Sequence, residues 1–85
     1  MKLEILTPET TLFNNEIKSV QVPGKSGSFE MLNNHMPIVS SLNEGVIKII
    51  DTNDKKKEIT ISSGVIEMKN NICYSYITQV KTTLF

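Results

Sequence analysis

A single histidine, a single cysteine and one Gly-Lys-Ser triplet offer the most chemistry in this 85-residue chain. His35 stands in the run Asn33-Asn34-His35-Met36-Pro37. One imidazole permits neither a two-histidine dyad nor a histidine-rich metal site. Serines and aspartates are available for a Ser-His-Asp arrangement, yet no serine sits in the Gly-x-Ser-x-Gly setting of a nucleophile elbow. His35 therefore reads first as a solvated or hydrogen-bonded loop residue, and second as a partner contact. Gly24-Lys25-Ser26-Gly27 shares its Gly-Lys-Ser with phosphate-binding loops, but that motif needs a glycine five residues earlier, where Ser19 stands. A flexible hairpin tip with a solvated lysine is the better reading.

Lys55, Lys56 and Lys57 follow the turn signal Asn53-Asp54, the setting in which a small all-β carrier domain presents a lipoyl or biotinyl lysine. The lysines lack a distinctive flank, so solvated charge is favoured over modification. Cys73 alternates with Ile72 and Tyr74 in a strand-like run with nothing basic close by, which predicts a buried, inert thiol. No catalytic constellation emerges, and neither a metal nor a cofactor is expected.

The elements that must position these residues are strands. Ile, Val and Thr supply 25 of 85 residues while alanine and tryptophan are absent, and β-branched side chains suit a pleated surface better than a helix. Turn signals recur about every ten residues, at Pro23-Gly24, Asn33-Asn34, Asn43-Glu44-Gly45, Asn53-Asp54, Ser63-Gly64 and Asn70-Asn71. Between them run alternating sets, each predicted to line one face of a strand: Leu3, Ile5, Thr7; Val20, Val22; Phe29, Met31; Ile38, Ser40, Leu42; Ile59, Ile61; Ile72, Tyr74, Tyr76. Val46-Ile47-Lys48-Ile49-Ile50 is apolar on both faces. We read it as a strand covered on both sides, with a face offered to a partner as the alternative. Thr7-Pro8-Glu9 could open a short helical turn, with Thr7 as its cap. A sandwich or barrel in one domain, residues 1–85, is the expectation.

Composition narrows the function. Nine lysines balance nine acidic residues and there is no arginine, so the electrostatic footprint of a nucleic-acid binder is missing. One cysteine cannot form an internal disulfide, which fits a reducing compartment. Apolar runs are broken by charges after two residues, far short of the about 20 positions of a membrane helix. The start, Met1-Lys2-Leu3-Glu4, lacks the apolar core of a secretion signal and the pattern of a transit peptide. At this size folding buries only about 60 to 65% of the unfolded surface, which argues against a multi-step enzyme. A rigid, neutral β module that holds other proteins in place is what remains.

The order of motifs goes further. Leu12-Phe13, Val20-Gln21-Val22-Pro23-Gly24, Gly27-Ser28-Phe29-Glu30-Met31-Leu32 and His35-Met36-Pro37-Ile38-Val39 follow one another. Leu42 through Gly45-Val46-Ile47-Lys48-Ile49 and then Ser62-Ser63-Gly64-Val65-Ile66-Glu67-Met68 complete the series. In that order, over about residues 3 to 77, the chain resembles the amino-terminal β-sandwich of the epsilon subunit of F-type ATP synthase. The resemblance implies a flattened sandwich of about ten short strands in two sheets. It also implies a non-catalytic central-stalk subunit that couples the gamma subunit to the membrane c-ring, at the cytoplasmic face of the bacterial inner membrane. Membrane association would come only through the complex. By family position, Ser26, Gly27, Ser28 and His35 are the c-ring-facing candidates, and Thr7, Val39, Ser40 and Val46 the gamma-facing ones.

Where family members often carry glycine, this chain has Asn15, Glu30, Asn34 and Ser63. Asparagine tolerates a left-handed backbone, so Asn15 and Asn34 are expected to keep such turns, whereas Glu30 and Ser63 have no such allowance. Many relatives are acidic at the position of Ser28. Positions 28 and 30 share one side of a strand, so Glu30 is expected to supply the displaced charge toward the ring. The helical hairpin that usually follows, with its inhibitory or ATP-binding role, is not expected, because Thr78 to Phe85 has no helical period. The competing functions are a lipoyl or biotinyl carrier domain and a generic all-β adaptor.

Overall fold

The computed structural model describes residues 1–80, which form seven strands and no helix. These are β1 (Lys2–Leu6), β2 (Thr11–Gly24), β3 (Gly27–Leu32), β4 (Ile38–Leu42), β5 (Gly45–Asp51), β6 (Lys56–Lys69) and β7 (Ile72–Val80). Of the segment Thr78 to Phe85, positions 78–80 belong to β7, and 81–85 lie outside the described residues.

Two strands of 14 residues explain why seven suffice where about ten were expected. Thr11–Glu16 of β2 pairs with β1, whereas its later residues pair with β5 and β3. Lys56–Ile61 of β6 pairs with β5, and Gly64–Met68 pairs with β4. Each long strand therefore serves both layers. The first layer runs β3, late β2, β5, early β6; the second runs early β2, β1, β7, late β6, β4. All pairings are antiparallel except β1 with β7.

At the change of layer each long strand slips register, between Ile17 and Ser19 in the pairing of β2 with β5, and around Ser63 in that of β6 with β7. An extra residue at a bulge moves the following side chains to the other face of the strand. The burial shows this shift. Phe13 and Ile17 point inward before the β2 slip, Val20 and Val22 after it; Ile61 precedes the β6 slip, Ile66 and Met68 follow it. Ser63-Gly64 is thus a bend inside β6 rather than a turn.

These side chains meet in one core with Leu3, Ile5, Met31, Leu42, Ile47, Ile49, Cys73 and Ile77. Burial of each large apolar side chain contributes about 1.5–3 kcal/mol. β7 turns its Cys73 face inward, as expected of a buried thiol. Its inward residues are Cys73, Ser75 and Ile77, because the parallel register sets Cys73 beside Leu3 and Ser75 beside Ile5. Ile72, Tyr74 and Tyr76 line the outer face. Ser75 tolerates burial by donating its hydroxyl to the Val65 carbonyl, 3.2 Å away.

β5 is covered on one side only: Ile47 and Ile49 are fully buried, while Val46 and Ile50 are half-buried on the outside with Lys48 exposed between them. Thr7 caps a turn instead of a helix. Its Oγ1 accepts from the Thr10 N–H at 3.1 Å and the Glu9 N–H at 3.4 Å, and its own N–H donates to the Thr10 carbonyl at 2.8 Å. Pro23-Gly24 closes β2, and the hairpin turn itself is Lys25-Ser26. Asn34 takes the left-handed backbone expected of it, φ 64°, with Asp54, Asn70 and Asn71 doing likewise. Asn15 does not; it lies within β2 opposite Leu3.

Candidate functional site

The β2–β3 hairpin presents Ser26, Gly27 and Ser28 as exposed residues. Gly24 pairs with Gly27 across a two-residue turn, and Gly27 has φ 127°. The tip is anchored sideways to the end of β4. Lys25 N–H donates to the Ser41 carbonyl at 2.9 Å, and Asn43 N–H donates to the Pro23 carbonyl at 2.8 Å. A two-residue turn tied to β4 along its β2 flank has little freedom to swing.

Ser28 and Glu30 both point outward from β3, on the side opposite Phe29 and Met31. Register places Glu30 beside Gln21, Gln21 beside Lys48 and Lys48 beside Glu58. This row, charged at Glu30, Lys48 and Glu58 and neutral at Gln21, crosses the first layer and lines a shallow groove of ≈ 260 Å³. The outer face of that layer is accordingly polar.

His35 lies elsewhere. It follows the far end of β3, so the six residues of that strand, at about 3.3 Å each, separate it from the hairpin tip. Its N–H closes a turn onto the Leu32 carbonyl at 3.1 Å, and its Nδ1–H donates to the Met36 carbonyl at 2.7 Å. That bond leaves Nε2 as the nitrogen bearing the lone pair of the neutral ring. The tip and His35 cannot meet the same small loop of a partner.

The gamma-facing candidates divide as well. Val39 is 66% exposed on the outer face of the second layer. Ser40, its neighbour, turns to the inner side with Ile38 and Leu42 and donates its hydroxyl to the Ser41 carbonyl at 3.0 Å. Val46 belongs to the outer face of the first layer. Thr7 borders an apolar groove of ≈ 440 Å³ that Leu6, Pro8, Tyr76 and Ile77 also line.

Sequence reasoning missed that groove's setting. Val65, Tyr76 and Leu6 are neighbours across three strands, giving the second layer an apolar outer row where the first layer is charged. The set Ile72, Tyr74, Tyr76 carried the signal. Cys73, Ser75 and Ile77 alternate with it, and either set resembles a core face.

The remaining chemistry is structural. Asp51 Oδ1 accepts from the N–H groups of Asn53 at 2.8 Å and Lys55 at 3.0 Å, and the Lys55 bond above all lowers its pKa. Lys57 lies 5.6 Å from the Phe13 ring centroid, a cation–π contact. Lys18 pairs with Asp54 at 2.6 Å. Cys73 is fully buried with Sγ 3.3 Å from Met68 Sδ and 3.6 Å from Met1 Sδ, and burial pushes its thiol up to about 11. Among the described residues no group of three His, Cys, Asp or Glu side chains could hold a metal ion, and no helix is long and apolar enough to cross a membrane.

The family model for the ATP synthase delta/epsilon chain β-sandwich domain matches residues 1–74. The ATP synthase epsilon chain of Campylobacter hominis is 48% identical over 62 residues, 73% of this chain and 48% of the relative. That of a Nitratiruptor species is 41% identical over 71 residues, covering 84% and 55%. This chain thus spans about half the length of these relatives. Among solved structures, a chain of the Euglena gracilis mitochondrial ATP synthase, in its OSCP/F1/c-ring assembly, superposes with TM-score 0.86 at 16% identity, over 93% of this chain and 51% of that one. A chain of the Tetrahymena thermophila central stalk/c-ring gives 0.79 at 14% identity, over 94% and 64%. At such low identity these two establish a shared fold. With the profile spanning nearly the whole chain, the sandwich belongs to the ATP synthase delta/epsilon family.

Proposed function

We propose that this chain is the β-sandwich part of a central-stalk epsilon subunit, a non-catalytic joint between the gamma subunit and the c-ring of an F-type ATP synthase. The observation that carries this reading is the family match over residues 1–74. Solved chains of the same fold belong to F1/c-ring and central stalk/c-ring assemblies, which supports it. The two strands that cross between layers suit a part that transmits torque, since shearing one layer past the other would strain β2 and β6 along their lengths.

The two outer faces suit different partners. The polar end made by Ser26, Gly27, Ser28 and Glu30 suits the water-exposed loops of the c-ring. The apolar row Leu6, Val65 and Tyr76, with Val39 and Thr7 beside it, suits gamma; desolvating that row favours a lasting contact, whereas the charged row of the first layer favours a salt-sensitive one. Ser40 and Val46 are the outlying gamma candidates, and His35 is assigned away from the ring-facing tip. The chain would lie at the cytoplasmic face of the bacterial inner membrane, held there by the complex.

Reconstitution with purified gamma subunit and c-ring in detergent tests the reading. Co-elution of all three supports it, and a chain that fails to bind gamma or fails to bind the c-ring overturns it. The chain alone is expected to show no ATPase activity and no saturable ATP binding. Intact mass from the native host should be that of an unmodified polypeptide, which separates this function from a lipoyl or biotinyl carrier.

A further inference from the structure

The β6–β7 turn is made of Asn70 and Asn71, both left-handed, with φ 54° and 62°. Positive φ at both central positions is the type I′ arrangement, for which Asn-Gly is the favoured pair. The second position holds asparagine, although glycine would suit the turn better. The Asn71 side chain is engaged 37 residues away. Its Oδ1 accepts the Asn34 N–H at 2.7 Å, and its Nδ2 donates to Asn33 Oδ1 at 2.8 Å.

Those contacts supply what the β3–β4 segment lacks. In the turn closed by His35 N–H onto the Leu32 carbonyl, Asn34 is the third residue, and the N–H at that position has no partner inside such a turn. Asn71 satisfies it and also donates to Asn33 Oδ1, which accepts a second bond from the Met1 ammonium at 3.1 Å, so one amide reaches both central residues and is the partner of the Asn34 N–H. From this braced turn the chain passes through His35 and exposed Met36 into β4, where Val39 stands outward.

We propose that Asn71 is a positioning residue that holds the β3–β4 segment in the conformation presenting Met36 and Val39 to gamma. The gamma part of this inference rests on the function proposed above; the bracing does not. In Asn71→Gly the turn should persist, because glycine adopts φ 62° freely. The Asn34 amide should exchange with solvent about fivefold to tenfold faster, as expected for loss of one net hydrogen bond. Affinity for purified gamma subunit should fall about fivefold with no loss of melting temperature. Asn71→Asp retains an acceptor for Asn34 but loses the donor to Asn33 Oδ1, so it should restore protection of the Asn34 amide and only part of the affinity, while Asn70→Gly should change neither.

Unaltered Asn34 exchange in Asn71→Gly would overturn the bracing. Faster exchange with unchanged gamma affinity would overturn the positioning role alone. If the unsubstituted chain fails to bind gamma, the proposed function fails while the exchange measurements still decide the bracing.

Discussion

Gly24 and Phe29 approach so closely that a Cβ on Gly24 would lie 2.7 Å from Phe29 Cε1, and equally 2.7 Å from the Gly27 carbonyl oxygen. A ring can shift, but the opposing backbone of a two-residue hairpin cannot easily do so. Gly24→Ala should therefore destabilise the domain by about 1–3 kcal/mol. Urea unfolding monitored by circular dichroism would measure it, and an unchanged midpoint would refute the claim that this hairpin is packed tightly.

The buried Cys73 thiol gives stability an alkaline limit. Its folded pKa of about 11 lies above the reference value of 9.0, so the folded state holds the thiol proton more tightly. The associated stability is fully present below about pH 9 and is lost as pH rises toward about 11. Two pKa units correspond to roughly 2–3 kcal/mol. Cys73→Val should flatten this part of the profile, measured by urea midpoints across the range. At neutral pH the native thiol should resist iodoacetamide until the chain unfolds.

Asp51 acts in the opposite direction. Its pKa is lowered by hydrogen bonds from the Lys55 and Asn53 amides, so the stability it adds is present above the ordinary carboxylate range and is lost as pH falls through the lowered value. Asp51→Ala should speed amide exchange at Asn53 and Lys55, while Asp51→Asn keeps an acceptor and most of the protection. Equal exchange in Asp51→Ala and the parent would show that the turn holds without the carboxylate.

Glu30 tests the ring-facing end. If its carboxylate supplies charge to the c-ring, Glu30→Gln should weaken association by about threefold to tenfold at low salt. The difference should shrink as salt screens it. Sedimentation with purified c-ring at two ionic strengths would decide, and equal affinities at both would remove Glu30 from the contact. Folding should be unaffected, since the side chain is exposed.

The alternation of Leu3 with Ile5, or of Val20 with Val22, was legible because each pair lies in a stretch with regular register. The all-β class and the burial of Cys73 were legible too. The change of face between Ile17 and Val20, and again between Ile61 and Ile66, was not legible as a single strand, because a bulge breaks the period of two without any obligatory residue type. That is why two bent strands looked like several short ones. In β7 the two alternating sets compete, and only pairing with β1 across the molecule selects Cys73 over Tyr74. The separation of His35 from Ser26 was hidden for a related reason: nearness in sequence says nothing about which end of β3 each residue occupies.

The side-by-side placement of β1 and β7 governs when the molecule can be completed. Lys2 aligns with Ile72, so the ribosome must release almost all of the described chain before β1 can acquire its second neighbour. Until then β1 has only β2, and its other edge is open to a stray nascent chain. Distant pairing of this kind slows assembly to about milliseconds or longer. The vulnerable interval in this domain's life is thus the wait for β7.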